Sequence, residues 1–271
     1  MSRAAWLSGS PMRSSLALLA LLATAAAPAK NPPQLQAQRY GETRAGRVQT
    51  LAVVLHGDTD SSVASAYSFS EAAAKAMPGS TAIALLRPGY VDGAGRKSPG
   101  ERGTGNGDGY TRERVGEVAR SMIDLRKRYR KAKIILIGDG GGAALAANLI
   151  GIYPTLADGV MLLSCPCALP EWRRAMAKRA PGQGYDQPVA SLDPLQTIGG
   201  IPATIRAAML VGADDPATLP RYSRTYAEAL ALRGIAVDFR ILPGRNGTLL
   251  TEPEVTDAMK RLVSGLPAKR K

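Results

Sequence analysis

Ile134-Ile135-Leu136-Ile137-Gly138-Asp139-Gly140-Gly141-Gly142-Ala143-Ala144-Leu145-Ala146-Ala147-Asn148-Leu149 is the stretch that organises this chain. The four apolar residues at its start read as a short strand buried on both faces. The glycines that follow permit a very tight turn. The alanine-rich run after them reads as a helix of small residues that can pack closely. A strand running straight into a helix through a glycine turn is a unit of a parallel α/β sheet.

Working outward, the same alternation repeats. Val48 to Leu55 is an apolar, β-branched strand that ends in His56-Gly57-Asp58. Ser62 to Met77 is an amphipathic, alanine-rich helix stopped by Pro78-Gly79, and Thr81 to Leu86 is a second strand. Arg87 to Tyr110 has no apolar periodicity and carries glycines at 89, 93, 95, 100, 103, 105, 107 and 109. A connection of that length is usually functional or disordered. Thr111 is placed to cap a helix running to about Tyr129. Beyond the central stretch come a strand at Gly159 to Ser164, a basic helix at Leu169 to Arg179 and a Pro/Gly-rich connection from Ala180 to Pro202. A strand at Thr204 to Val211 ends in Gly212-Ala213-Asp214-Asp215-Pro216. A helix at Pro220 to Arg233, a strand at Ile235 to Leu242 and a helix at Pro253 to Val263 complete the series. The pattern predicts an α/β fold with a doubly wound, mostly parallel sheet and helices on both faces. Ligands in such sheets bind at the carboxyl ends of the strands.

The chain of 271 residues suits one large domain. Leu16 to Ala27 is apolar except for Thr24, follows Arg13 and ends in small residues, which is the pattern of a secretory signal. The expected division is a signal peptide over 1–27, a linker over 28–46, the α/β domain over 47–265 and a basic tail over 266–271. Met12 is an alternative start. Export to the periplasm or medium follows from this reading.

The formal charge is +13, and removing the segment with Arg3 and Arg13 leaves about +11. Nine Lys/Arg fall between Arg112 and Lys133. Such a balance suits an anionic envelope surface. Nucleic acid is not expected, because no aromatic interleaving or recognition motif accompanies the charge. Cys165 and Cys167 flank Pro166 and are the two cysteines of the chain. A labile disulfide and a pair of buried thiols are both compatible with that spacing. Two cysteines and one distant histidine do not make a zinc site, and neither a metal nor a cofactor is expected.

His56-Gly57, Arg87-Pro88-Gly89-Tyr90, Gly138 to Gly142, Gly212 to Pro216 and Leu242-Pro243-Gly244 occur in that order at strand ends. Together they resemble the α/β-hydrolase family, especially its prolyl-oligopeptidase-like and esterase branches, over about Val48 to Val263. The resemblance implies a nucleophile in a G-x-S-x-G elbow, then an acid, then a histidine. Here Gly140 stands at the nucleophile position, and Asp215, with Asp214 as second choice, at that of the acid. Asn246 or Gly247 stands where the histidine belongs. Two of the three roles are vacant, and Asp139 stands where the family often has another histidine. The resemblance also places the oxyanion-binding segment at His56, Gly57 and Asp58, opposite the amide of Gly141. His56 itself reads as a residue that shapes the strand end. Ser98 resembles a binding-loop residue, and Asp108 a turn former.

The implied protein is an exported relative of serine esterases and peptidases with a degenerate hydrolase site. It would bind a small ester or peptide-like ligand. The alternatives are an active esterase or peptidase with an unusual nucleophile such as Asp139, and a basic envelope protein that binds anionic polymers.

Overall fold

A computed structural model of the chain describes Met1 and residues 34–267. The expected signal peptide beyond Met1 and the last four residues of the expected basic tail lie outside the described residues. Seven strands, β1 (Ala37–Gly41), β2 (Thr50–Leu55), β3 (Ser80–Leu85), β4 (Lys133–Asp139), β5 (Gly159–Leu163), β6 (Arg206–Gly212) and β7 (Ala236–Leu242), form one sheet in the order β1-β3-β2-β4-β5-β6-β7. All neighbours are parallel except β1 and β3. The connecting helices are α1 (Asp60–Ala76), α2 (Arg112–Arg128), α3 (Gly141–Ile152), α4 (Leu169–Arg179), α5 (Pro194–Thr197), α6 (Pro220–Leu232) and α7 (Pro253–Gly265).

The stretch expected to be a linker is part of the sheet: its residues Ala37–Gly41 form the antiparallel edge strand, with Arg39 opposite Ile83. The domain also extends past the expected boundary: Leu266 is buried, and its carbonyl accepts from Lys133 Nζ at 2.8 Å.

Side-chain alternation along β2 sorts the core onto two faces. Leu51, Val53 and Leu55 share one apolar cluster with Val115, Val118 and Met122 of α2, Leu145 and Leu149 of α3, and Tyr222 and Tyr226 of α6. Ala52 and Val54 share the other with Phe69 of α1 and with Val255, Met259 and Leu262 of α7. The doubly wound arrangement therefore follows from which strand residues are apolar on which side. Thr111 caps α2 by accepting from the Arg114 amide at 3.3 Å. Among the described residues, no helix is long and apolar enough to cross a membrane.

The close fit of α3 places the candidate site. A Cβ on Gly142 would overlap the carbonyl oxygens of Leu55 and His56, and one on Gly138 would overlap the Gly142 carbonyl. The missing side chains let the first turn of α3 sit directly against the ends of β2 and β4.

Candidate functional site

Gly140 joins β4 to α3 with φ 52° and ψ −116°, a conformation that an L residue holds only under strain. Its amide donates to the Leu163 carbonyl at 2.9 Å, and its carbonyl accepts from Ala143 and Ala144. Backbone bonds thus hold Gly140 itself in place. A Cβ on Gly140 would meet nothing closer than the Gly57 Cα, at 3.9 Å, so the turn has room for a small side chain beside the end of β2.

The end of β2 is held from below by the 87–110 segment. Arg87 is buried; its amide donates to His56 Nε2 at 3.0 Å, and its Nη1 reaches the carbonyls of His56 and Gly57. Because Nε2 accepts, the ring proton lies on Nδ1 and is donated to the Gly57 carbonyl at 2.8 Å. Burial and the Arg87 charge push the His56 pKa down to about 3, so the ring is neutral at physiological pH. Both ring nitrogens are committed to backbone, which leaves His56 no free nitrogen for proton transfer.

Asp58 turns its carboxylate inward. Oδ1 pairs with Arg87 Nη1 at 2.9 Å, and Oδ2 accepts from the Tyr110 hydroxyl at 3.0 Å. The Tyr90 hydroxyl donates to Oδ1 at 3.3 Å. A Cβ on Gly141 would overlap this carboxylate, so Asp58 stands directly against the first residue of α3.

The loops after β6 and β7 close the other side. Asp215 is buried, and its Oδ1 accepts from the amides of Ala217 and Thr218, both at 2.9 Å. The Asp214 amide donates to the Arg245 carbonyl at 3.1 Å, which joins the two loops. Asn246 is exposed, and its side chain makes no hydrogen bond among the described residues. A Cβ on Gly247 would meet nothing within 4 Å. Two residues past Asn246, Thr248 donates its hydroxyl to Asp139 Oδ2 at 2.9 Å and so ties the β7 loop to the turn before α3. Asp139 is buried. Burial, with Asp215 and Asp58 nearby, pushes its pKa up to about 7.

The structure thus gathers Gly140, Gly141, Asp139, Asp58, Gly57 and His56 around the start of α3, and Thr248 brings the β7 loop to it. No hydrogen bond joins Asp215 to Asn246 among the described residues. Other candidates fall outside this group. Ser98 Oγ donates to the Leu86 carbonyl at 2.6 Å and accepts from the Gln36 amide, which fixes it as a buried strut. Both Asp108 oxygens accept from the Thr104 amide. Cys165 and Cys167 form a disulfide across Pro166, buried just beyond β5. Sequence reasoning missed Arg87, Tyr110 and Thr248 as organisers. Only Arg87 carried a signal, as the start of the Arg87-Pro88-Gly89-Tyr90 segment. Among the described residues, no group of three or more His, Cys, Asp or Glu is arranged to hold a metal.

No family model matches this sequence, and no curated protein matches it. Solved structures do. The Paleococcus ferrophilus monoacylglycerol lipase is 18% identical with a TM-score of 0.54, covering 85% of this chain and 99% of that one. Est1E from Butyrivibrio proteoclasticus, solved with ferulic acid bound, is 15% identical with a TM-score of 0.65, covering 87% and 96%. The Pyrococcus horikoshii acylaminoacyl peptidase is 12% identical with a TM-score of 0.63, covering 88% of this chain and 40% of that one. The fold is therefore that of the α/β-hydrolases, a class that includes serine esterases and peptidases.

Proposed function

We propose that this protein is an exported α/β-hydrolase-fold binding protein whose hydrolytic unit is vacant. The observation that carries the reading is the state of the chain's one histidine. Acyl transfer through a hydroxyl needs a base that takes the proton and returns it. His56 is neutral and committed through both nitrogens to Arg87 and Gly57. Gly140 offers no nucleophile, and neither Asn246 nor Gly247 can replace a base. The room beside Gly140, where a Cβ would meet nothing closer than 3.9 Å, is where a small ester or peptide-like ligand would dock. Export rests on the signal-like run from Leu16 to Ala27.

A second reading, hydrolysis with an unusual nucleophile, is favoured by the Thr248–Asp139 pair: a hydroxyl bonded to a carboxylate whose pKa lies near neutrality. One set of measurements separates the two. The first reading expects no turnover of short-chain nitrophenyl esters and no labelling by a fluorophosphonate. It expects short esters or acyl peptides to raise the melting temperature, and Gly140→Phe, which fills the space beside Gly57, to abolish that rise. Turnover that disappears in Thr248→Val or Asp139→Asn would establish the second reading.

A further inference from the structure

We infer that the cavity between α4 and the 185–196 segment is a binding site for an organic carboxylate with an apolar body. This inference is independent of whether the site at Gly140 has lost its chemistry. The cavity measures about 730 Å³, within the ordinary range for small-molecule sites. Part of its wall is apolar, from Leu169, Pro170, Ala177, Pro188 and Val189. Tyr185 adds an aromatic side and stands edge-on to Trp172, with ring centroids 5.4 Å apart.

The charge of the wall points to the ligand. Arg173 is only 7% exposed and lines the cavity. Its Nη groups donate to the carbonyls of Asn106, Gly184 and Gln187, and Nη1 lies 3.4 Å from the Asn106 side-chain oxygen. All of these acceptors are neutral. Among the described residues Arg173 has no carboxylate within ion-pair distance. A buried guanidinium held only by neutral acceptors keeps its positive charge, which favours an anion elsewhere in the cavity. Arg174 and Lys178 lie one helical turn apart on the rim. Lys178 makes no hydrogen bond or ion pair among the described residues, and Arg174 uses only Nε, to the Pro170 carbonyl.

Two carboxylates, Asp186 and Asp193, also line the cavity and offset part of this field, so the three cations leave a positive balance. Asp193 Oδ1 is turned to the amides of Leu169 and Leu195. Asp186 lies at the exposed edge. A carboxylate head placed between Arg174 and Lys178, with its chain against Val189 and Leu169, satisfies both halves of the site.

The test titrates octanoate into the full chain carrying Trp6→Phe, following the emission of Trp172, then the sole tryptophan, beside Tyr185. The expected result is a saturable one-to-one change, with no matching response to octan-1-ol. The paired change Arg174→Gln with Lys178→Gln, both exposed, weakens octanoate at least tenfold. The paired change Lys127→Gln with Arg128→Gln on α2 removes the same net charge and leaves affinity unaltered. Val189→Phe, which fills the apolar end, abolishes binding and covers the case in which the α4 variant misfolds. A response to the alcohol equal to that to the acid overturns the proposal. So does unchanged affinity in a folded α4 variant, or the absence of any saturable change.

Discussion

At the scale of single residues, Gly140 and Gly141 are adjacent glycines with different reasons for being glycine. Gly140 has room for a side chain but an unfavourable backbone conformation, whereas Gly141 has the Asp58 carboxylate where its Cβ would go. Gly140→Ala therefore costs only backbone strain, about 1–3 kcal/mol. Gly141→Ala forces Asp58 off Arg87 and Tyr110. Breaking a buried ion pair costs about 3–5 kcal/mol, and Arg87 is 2% exposed. The clearest check is a double-mutant cycle by urea unfolding. Asp58→Ala and Gly141→Ala remove the same contact, so together they cost at least 1 kcal/mol less than their sum, about the coupling expected of touching residues. Additive losses would mean that Asp58 does not rest on Gly141. His56 carries the same lesson: a histidine at a catalytic-looking strand end is a bracket here, because a backbone amide already occupies its accepting nitrogen.

At the scale of elements, glycines in two helices make opposite predictions. Gly116 lies inside α2, where an added Cβ meets only the Arg120 and Tyr153 side chains, at 4.0 Å. Gly116→Ala recovers helix propensity and stabilises the protein by about 0.5–1 kcal/mol. Gly142, in the first turn of α3, lies against the Leu55 and His56 carbonyls, and Gly142→Ala destabilises it by about 1–3 kcal/mol through overpacking. Thermal melts of the two variants should shift in opposite directions; a common direction would refute the close approach of α3 to β2. The elements themselves were largely legible. The β-branched runs of β2 and β4 and the Thr111 cap follow from local chemistry. The edge strand β1 was not legible, because Ala37-Gln38-Arg39-Tyr40-Gly41 has neither an apolar run nor a clean alternation and gains its order from pairing with β3. The short α5, inside a connection read as irregular, is likewise set by context, with Asp193 capping it through the Leu195 amide.

At the scale of the whole molecule, the candidate site is where the ends of β2, β4, β6 and β7 meet. Its strand-end positions were legible because they sit where a periodic pattern stops. The Thr248–Asp139 bond and the Tyr110–Asp58 bond were not, since each joins residues far apart in the chain through side chains that carry no local signal. The assembly has a consequence for stability against pH, because it buries two groups with opposite shifts. Asp139 moves from 3.8 up to about 7. Across that window the folded chain holds a proton that the unfolded chain has released, so this group lowers stability as pH rises. His56 moves from 6.5 down to about 3. Below 6.5 the unfolded chain takes a proton that the folded chain refuses, so this group lowers stability as pH falls. Between pH 4 and 6.5 the two slopes oppose each other, each at up to about 1.4 kcal/mol per pH unit. Asp139→Asn keeps an acceptor for the Thr248 hydroxyl and removes only the first slope. Urea unfolding of both proteins from pH 4 to 7.5 should show the variant gaining on the parent steadily as pH rises, by a total of about 4 kcal/mol at most. The gain should level off above pH 7, where the parent's Asp139 is ionised in both states. A difference that stays constant over this range would mean that Asp139 is ionised throughout and that its burial is compensated by more than the Thr248 hydroxyl and the backbone hydrogen bond from Leu249, the two bonds that favour its charged form.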